Sequence, residues 1–350
     1  MARHKAIDGL RRESDRDARQ AAAQEVLVAR GETPWEPTGS VPDDRLRLVF
    51  TCCHPVLAPE TRVALTLRLV AGLSTAEVAR AFWVPEATMA QRLVRAKRKI
   101  ADENVPYRVP EDHELPDRLA GVLRVVYLVF REGYAPSAGD ELVRVELCEE
   151  AIRLARLVVE LLPDEGEAQA LLALLLIQHS RRAARTNDEG DLVLIAEQDR
   201  TRWDQDAIEE GLALTAAALR RGRGQYAIQA AIAACHTAEP VDWSVAADLY
   251  GELQLLDPSP AVVLNRAVAI AEVDGPGAAL ATVEELLATP GGEALARSSH
   301  QPHVARADFL RRLGRDAEAA ESYERAAAMA PTEPERRFLD AMLARCRSAR

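Results

Sequence analysis

Between Asp43 and Ile100 the apolar positions recur at helical spacing in four successive stretches. Asp43 and Asp44 stand where caps would open a first helix that runs through Cys53. Ala58-Pro59-Glu60 opens a second through Ala71, with Val63, Leu67 and Val70 on one face and Gly72 ending it. Ser74, with Glu77 three residues on, has capping-box spacing and starts a short helix through Phe82. Pro85 introduces a last helix to about Ile100, and its apolar residues Met89, Leu93, Ala96 and Ile100 build a single stripe. The other face of that helix presents Thr88, Gln91, Arg92, Arg95, Arg98 and Lys99, with Lys97 at its edge. An ordinary solvated helix would interleave acids with these bases one turn away. Only Glu86 is available for that within the predicted helix.

A short helix, a tight turn and a helix with one apolar and one basic, hydroxyl- and amide-bearing face are what a major-groove reader requires. The apolar side docks on the preceding helix, the first residues reach base edges, and Arg and Lys neutralise phosphates. Beyond Leu115 helical spacing continues, predicting Pro116–Phe130, Glu141–Leu162, Glu165–Arg185, Asp204–Arg221 and Tyr226–Thr237 as helices. The fold class expected is all-α, a helix-turn-helix domain followed by a helical-repeat domain.

Two segments interrupt the helical pattern. Gly31–Asp44 carries three prolines and two glycines, and Asp102–Asp117 carries three prolines and a cluster of acids. They divide the chain into a basic stub at 1–30, a linker at 31–43, the reading unit at 44–101, a second linker at 102–117 and a helical portion at 118–350.

Composition agrees with helices packed on helices: 48% of residues are hydrophobic but only 4% aromatic. The net charge of −11 by itself argues against nucleic acid, and its distribution reverses that. Residues 1–103 hold 17 Lys/Arg against 14 Asp/Glu, a net +3, and the remainder nets −14. A mildly basic end and a strongly acidic one suggest two jobs in one chain. No apolar run is long enough to span a bilayer, and Met1–Arg19 is charged throughout, so no membrane association and a cytoplasmic location are expected.

Chemistry-bearing clusters are sparse. The five cysteines lack CxxC spacing, and Cys52-Cys53-His54 has no second Cys/His pair at ligand distance along the chain. These read as small residues near a helix end that Pro55 stops, with no metal. The stretch Arg181-Arg-Ala-Ala-Arg185 through Asp188, Glu189 and Asp191 to Glu197-Gln-Asp199-Arg-Thr-Arg-Trp203-Asp204 sets carboxylates near arginines, as acid–base work would need. It has no nucleophile, metal pair or Gly-rich phosphate loop beside it. Salt bridges and a packing tryptophan between helices are the expectation there; neither catalysis nor a cofactor is.

The string Leu73–Ile100, LSTAEVARAFWVPEATMAQRLVRAKRKI, resembles the fourth conserved region of sigma-70-type initiation factors of the extracytoplasmic-function group. Thr88, Arg92, Arg95, Ala96 and Lys97 fall in register with that family. Trp83 departs from it, standing at a turn position where many relatives carry Gly. The stub Ala2–Glu13 resembles the tail of the second conserved region, and the resemblance implies that Arg3, Lys5, Arg11 and Arg12 face promoter DNA. What lies upstream of that tail in the family, the main polymerase-clamp contact and the strand-opening residues, is missing from the sequence. A misplaced or truncated start, or a partial factor, explains this equally.

Pro302–Leu313, Gly314, the helix through Tyr323 and Ala326, and Pro331 resemble a tetratricopeptide unit, with weaker copies ending at Pro258 and Pro290. A reading head, a segment like Tyr127–Glu165 and then helical repeats is similar to the layout of one subgroup of extracytoplasmic-function sigma factors. That resemblance implies core RNA polymerase and promoter DNA as partners and an extension that modulates activity; stacked helix pairs are also expected to offer a surface to a protein or peptide. Two alternatives stay open: a polymerase-independent helix-turn-helix regulator with a sensing domain, and an interaction scaffold whose basic helix is incidental.

Overall fold

The computed structural model describes residues 41–348 apart from 83, 112, 137 and 138. The stub with Arg3, Lys5, Arg11 and Arg12, the linker up to residue 40, and Trp83 lie outside the described residues. Those residues that are described are helical, with no strand among them and two isolated bridges, Gly139 to Thr332 and Thr186 to Leu192. No helix among them is long and apolar enough to cross a membrane.

The chain forms two compact units, one up to Phe130 with Arg153–Pro163, the other Arg131–Ile152 with Asp164–Arg350. The first unit holds α1 (Val41–Cys52), α2 (Pro59–Leu69), α3 (Thr75–Ala81) and α4 (Glu86–Asp102). It also takes in α5 (Leu115–Tyr134) as far as Phe130 and the end of α6 (Val145–Leu161). α1 starts at Val41, so Asp43 and Asp44 fall within its first turn and do not precede it. The start signal is Pro42, whose missing N–H has no helical partner to lose there. α2 packs on α1, α3 and α4 and is enclosed accordingly: Ala64, Leu65, Thr66, Leu67 and Leu69 are all buried, while Val63 is only half-buried.

α4 runs two residues past its expected end. It closes in a Schellman motif, with Val105 N–H donating to Ile100 O at 3.0 Å and Asn104 N–H to Ala101 O at 3.1 Å. Asn104 takes the left-handed φ of 47° that this cap needs.

The sequence boundary at 117/118 does not coincide with the edge of this unit. Arg118 Nη2 donates to Phe50 O at 2.7 Å and Arg153 Nη2 to Val70 O at 3.4 Å. Two helices beyond the proline-rich segment thus satisfy carbonyls at the ends of α1 and α2, which helix geometry leaves unpaired. Prolines 106 and 110 lie between α4 and α5 and Pro116 in the first turn of α5, and the core continues past them.

In the second unit α7 (Gly166–Ser180) is buried without a break from Ala170 to Ile177, with α8 (Gln205–Arg221) and α9 (Gln225–Cys235) packed on it. α10 (Trp243–Leu256), α11 (Pro260–Val273), α12 (Pro276–Leu287), α13 (Pro290–Ser298), α14 (Gln301–Arg312), α15 (Asp316–Ala328) and α16 (Glu333–Ser348) follow. Each packs mainly on its neighbours in sequence. Side chains cap several starts: Asp204 for α8, Asp242 for α10, Thr289 for α13. Glu167 reaches from α7 to accept from Tyr226 N–H and Ala227 N–H at 2.9 and 3.0 Å, at the positive end of α9. One cluster joins Ile228, Ile232, Leu249, Leu253 and Val262; another joins Leu280, Val283, Phe309, Leu310, Tyr323 and Leu339. Gly314, at φ 73°, closes α14 in a second Schellman motif, and Arg315 N–H donates to Leu310 O at 2.9 Å.

Beyond Leu115 four expected helix bounds shift by two residues or more, among them the end expected at Phe130, which α5 passes to finish at Tyr134. The helix expected from Glu141 starts at Val145, and that expected to end at Thr237 ends at Cys235. α7 ends at Ser180, with only a 3-10 turn at Arg182–Ala184 beyond it. Arg181 and Arg185 lie beyond the helix end, near the Trp203 and Tyr134 rings respectively.

Candidate nucleic-acid interface

The α3–turn–α4 geometry begins with a reciprocal cap. Ser74 N–H donates to Glu77 Oε2 at 2.6 Å and Glu77 N–H donates to Ser74 Oγ at 3.2 Å. Such a cap contributes about 1 kcal/mol and fixes where α3 starts. Val78 and Ala79 on α3 are buried, and so are Met89, Leu93, Ala96 and Ile100 on α4, the stripe expected from spacing. Phe82 N–H to Val78 O and Val84 N–H to Ala79 O, both at 3.1 Å, tighten the turn before Pro85. The two helices therefore meet through small and flexible apolar side chains, and the remaining faces of α4 are left to solvent.

On those faces Thr88, Gln91, Arg95, Arg98 and Lys99 are exposed, and Arg92 and Lys97 are half-buried. Thr88, Arg92, Arg95 and Lys99 line one side of a shallow groove whose other side is Leu57, Ala58 and Thr61 at the start of α2. The Arg92 guanidinium lies 5.9 Å from the Phe82 ring centroid, a cation–π contact that restrains it beside the turn. Lys97 differs from the rest. Burial lowers the pKa of its ammonium, with Arg68 adding to the effect and Cys52 opposing it. Arg98 pairs with Asp102 at 3.5 Å, both well exposed. The two added residues thus supply a second acid, and Glu86 is not the only one within the helix.

Two residues escaped the sequence reading. Ala87, Gln91, Val94 and Arg98 repeat the spacing of the buried stripe two residues earlier, and two residues are about 200° around a helix. These four form the ridge opposite the core. Val94 is 65% exposed, alone among the large apolar side chains of the first unit's described residues. The signal lay in the sequence as a second stripe of the same period, hidden because only two of its members are polar.

Behind the interface, Cys52 and Cys53 are buried free thiols. Burial pushes Cys53 up to about 11, and its Sγ lies 3.5 Å from Thr66 Oγ1. His54 Nδ1 accepts from Val56 N–H at 3.2 Å. Among the described residues no three His, Cys, Asp or Glu side chains gather as a metal site.

Residues 47–100 match the family Sigma-70, region 4, and residues 118–219 match a family of unknown function, DUF6596. An uncharacterized protein of Rhizobium meliloti (strain 1021) is 45% identical over 302 residues, which cover 85% of this chain and 70% of that protein.

Proposed function

The chain belongs to one family with the Rhizobium meliloti protein and carries a sigma-70 region 4 unit ahead of a helical domain, and from that premise we propose that it is an extracytoplasmic-function-type initiation factor. In this reading the unit at 44–101 recognises the promoter −35 element and engages core RNA polymerase in the cytoplasm. The mechanism is binding and positioning, with no covalent chemistry. One observation carries it: α4 combines a fully buried apolar stripe with an exposed basic face, inside the segment that matches region 4.

Thr88 and Gln91 are assigned to base edges, Arg92 and Arg95 to bases or phosphates, and Lys99 and Arg98 to phosphates. Arg98 contributes less than a free cation because Asp102 offsets it. Lys97, half-buried at the edge of that face, is assigned to DNA binding with them. Arg3, Lys5, Arg11 and Arg12 are assigned to promoter contacts. The domain at 118–350 is read as a tetratricopeptide-like extension that regulates activity through a protein or peptide; its nearest-neighbour stacking and acidic balance support this.

The test is association of the full chain with bacterial core polymerase, followed by promoter-specific runoff transcription. Binding to core with a promoter-dependent transcript is expected. Sequence-specific DNA binding with neither core association nor a transcript would make the protein a polymerase-independent regulator.

The ridge adds a prediction about sequence. A Gln between two apolar side chains suits an adenine, read at N6 and N7, flanked by thymine C5 methyls. Burying one methyl is worth about 0.8 kcal/mol, roughly fourfold in affinity. On a duplex selected from random sequence, thymine-to-uracil replacement at one position should cost the wild type about that factor and cost Val94→Ser nothing. Equal losses in both proteins would remove Val94 from the readout.

A further inference from the structure

Most cationic side chains of the second unit are matched to carboxylates. Arg182 pairs with Asp204 at 3.3 Å, Arg337 with Asp191 at 2.7 Å, Arg312 with Glu272 at 2.7 Å and Arg223 with Glu252 at 2.8 Å. Arg181 and Arg185 are not. Among the described residues neither guanidinium has an ion-pair partner, in a region with a large excess of acids. Arg181 Nη2 donates to Tyr134 Oη at 2.9 Å, and Arg185 Nη1 donates to the Tyr134 carbonyl oxygen. The Arg185 guanidinium carbon lies 3.9 Å from the Tyr134 ring centroid. That of Arg181 lies 5.9 Å from the Trp203 ring, against which Arg200 also stacks at 4.6 Å.

The surroundings hold one carboxylate near Arg185 and two buried polar atoms without partners. Burial holds Arg185 below its ordinary range; Arg181 adds to this, while Tyr134, Cys148 and Glu335 oppose it. Glu335 is itself engaged, accepting from Thr332 Oγ1 at 2.6 Å and lying 3.7 Å from His300. Trp203 is 4% exposed, and its indole N–H is buried without an acceptor among the described residues. His236 Nδ1 is also buried and unpartnered; burial and the charges of Arg181 and Arg200 push that ring down to about 4.

Arg181 and Arg185 are half-buried, and guanidinium groups match the oxygens of phosphate and carboxylate. We propose that Arg181 and Arg185, beside the unpaired indole of Trp203, bind a small oxyanion, the phosphoryl or carboxylate group of a free ligand. This site stands apart from the DNA-reading assignment and holds or fails independently of it.

The full chain is to be heated in increasing inorganic phosphate, and separately in citrate, at constant ionic strength set with chloride. At least one anion is expected to raise the melting temperature of the wild type. Arg181→Gln and Arg185→Gln should leave it flat, while Arg312→Gln, which breaks a paired arginine, should respond as wild type does. Should Arg185→Gln not fold, the wild type still decides the question. The His236 ring, followed by NMR, should titrate at a higher pH when the anion neutralises the neighbouring arginines. Phosphate alone, or citrate alone, assigns the oxyanion class. No stabilisation beyond chloride, an equal shift in the Arg181 variant, or an unmoved His236 titration overturns the site.

Discussion

Replacing Arg95 by alanine is expected to weaken binding to a −35-type duplex by about 1–3 kcal/mol if its guanidinium reads a base. That is roughly a fivefold to 150-fold loss, and it should fall on the matched sequence while mismatched duplexes change little. Arg95 is exposed, one turn beyond Gln91 on the face of α4 that borders the groove with α2. Nothing in the fold requires its side chain, so lost binding would report on the interface and not on folding. Fluorescence anisotropy at fixed salt, repeated over a salt series, separates two roles. A base contact relaxes specificity; a phosphate contact weakens all sequences alike and lowers the salt slope by about one. Unchanged affinity for matched and mismatched duplexes alike would remove Arg95 from the site.

Tyr323→Ala is expected to lower the stability of the second unit by about 3–5 kcal/mol, the cost of emptying an aromatic-sized space in a close-packed core. Tyr323 is 1% exposed, in the cluster that joins α11, α12, α14, α15 and α16. Burial pushes its phenol up to about 12, so the ring stays neutral across any working pH. Tyr323→Phe keeps the ring and should cost far less, since only the hydroxyl and its link to Arg311 are lost. Urea unfolding followed by circular dichroism should show the alanine variant's midpoint well below that of the phenylalanine variant. Coincident midpoints would mean that the ring does not carry that packing. A chain of two units need not unfold in one step, so the comparison belongs to the transition that the substitution moves.

The stripe Met89, Leu93, Ala96 and Ile100 was legible because its spacing is a local property, and so was the Ser74–Glu77 cap. Helix bounds beyond Leu115 were legible to within a few residues for the same reason. What was hidden depends on partners distant in sequence. α2 and α7 are enclosed on several sides, and a helix apolar all round shows no face to read. The carbonyl of Phe50 is met by Arg118, sixty-eight residues away, so a proline-rich break in the helix resembled an edge of the unit. Lys97 shares its charge with Arg95 and Arg98, and only burial beside Arg68 distinguishes it. Trp203 was expected to pack between helices and does so, with Arg200 on its ring and Asp204 capping α8. That Arg181 and Arg185 have no ion-pair partner among the described residues was hidden among many acids close in sequence.

The stacking of α7 through α16 on their neighbours bears on how this part of the chain assembles. Most contacts a helix makes are with the helices next to it in sequence or one further along. Loop closure therefore costs little at each step, and order can spread outward from any well-formed pair. Such an array tolerates the gain or loss of a hairpin, because a new pair finds the same kind of surface on both sides. The length of the array can then change without disturbing the pairs that remain.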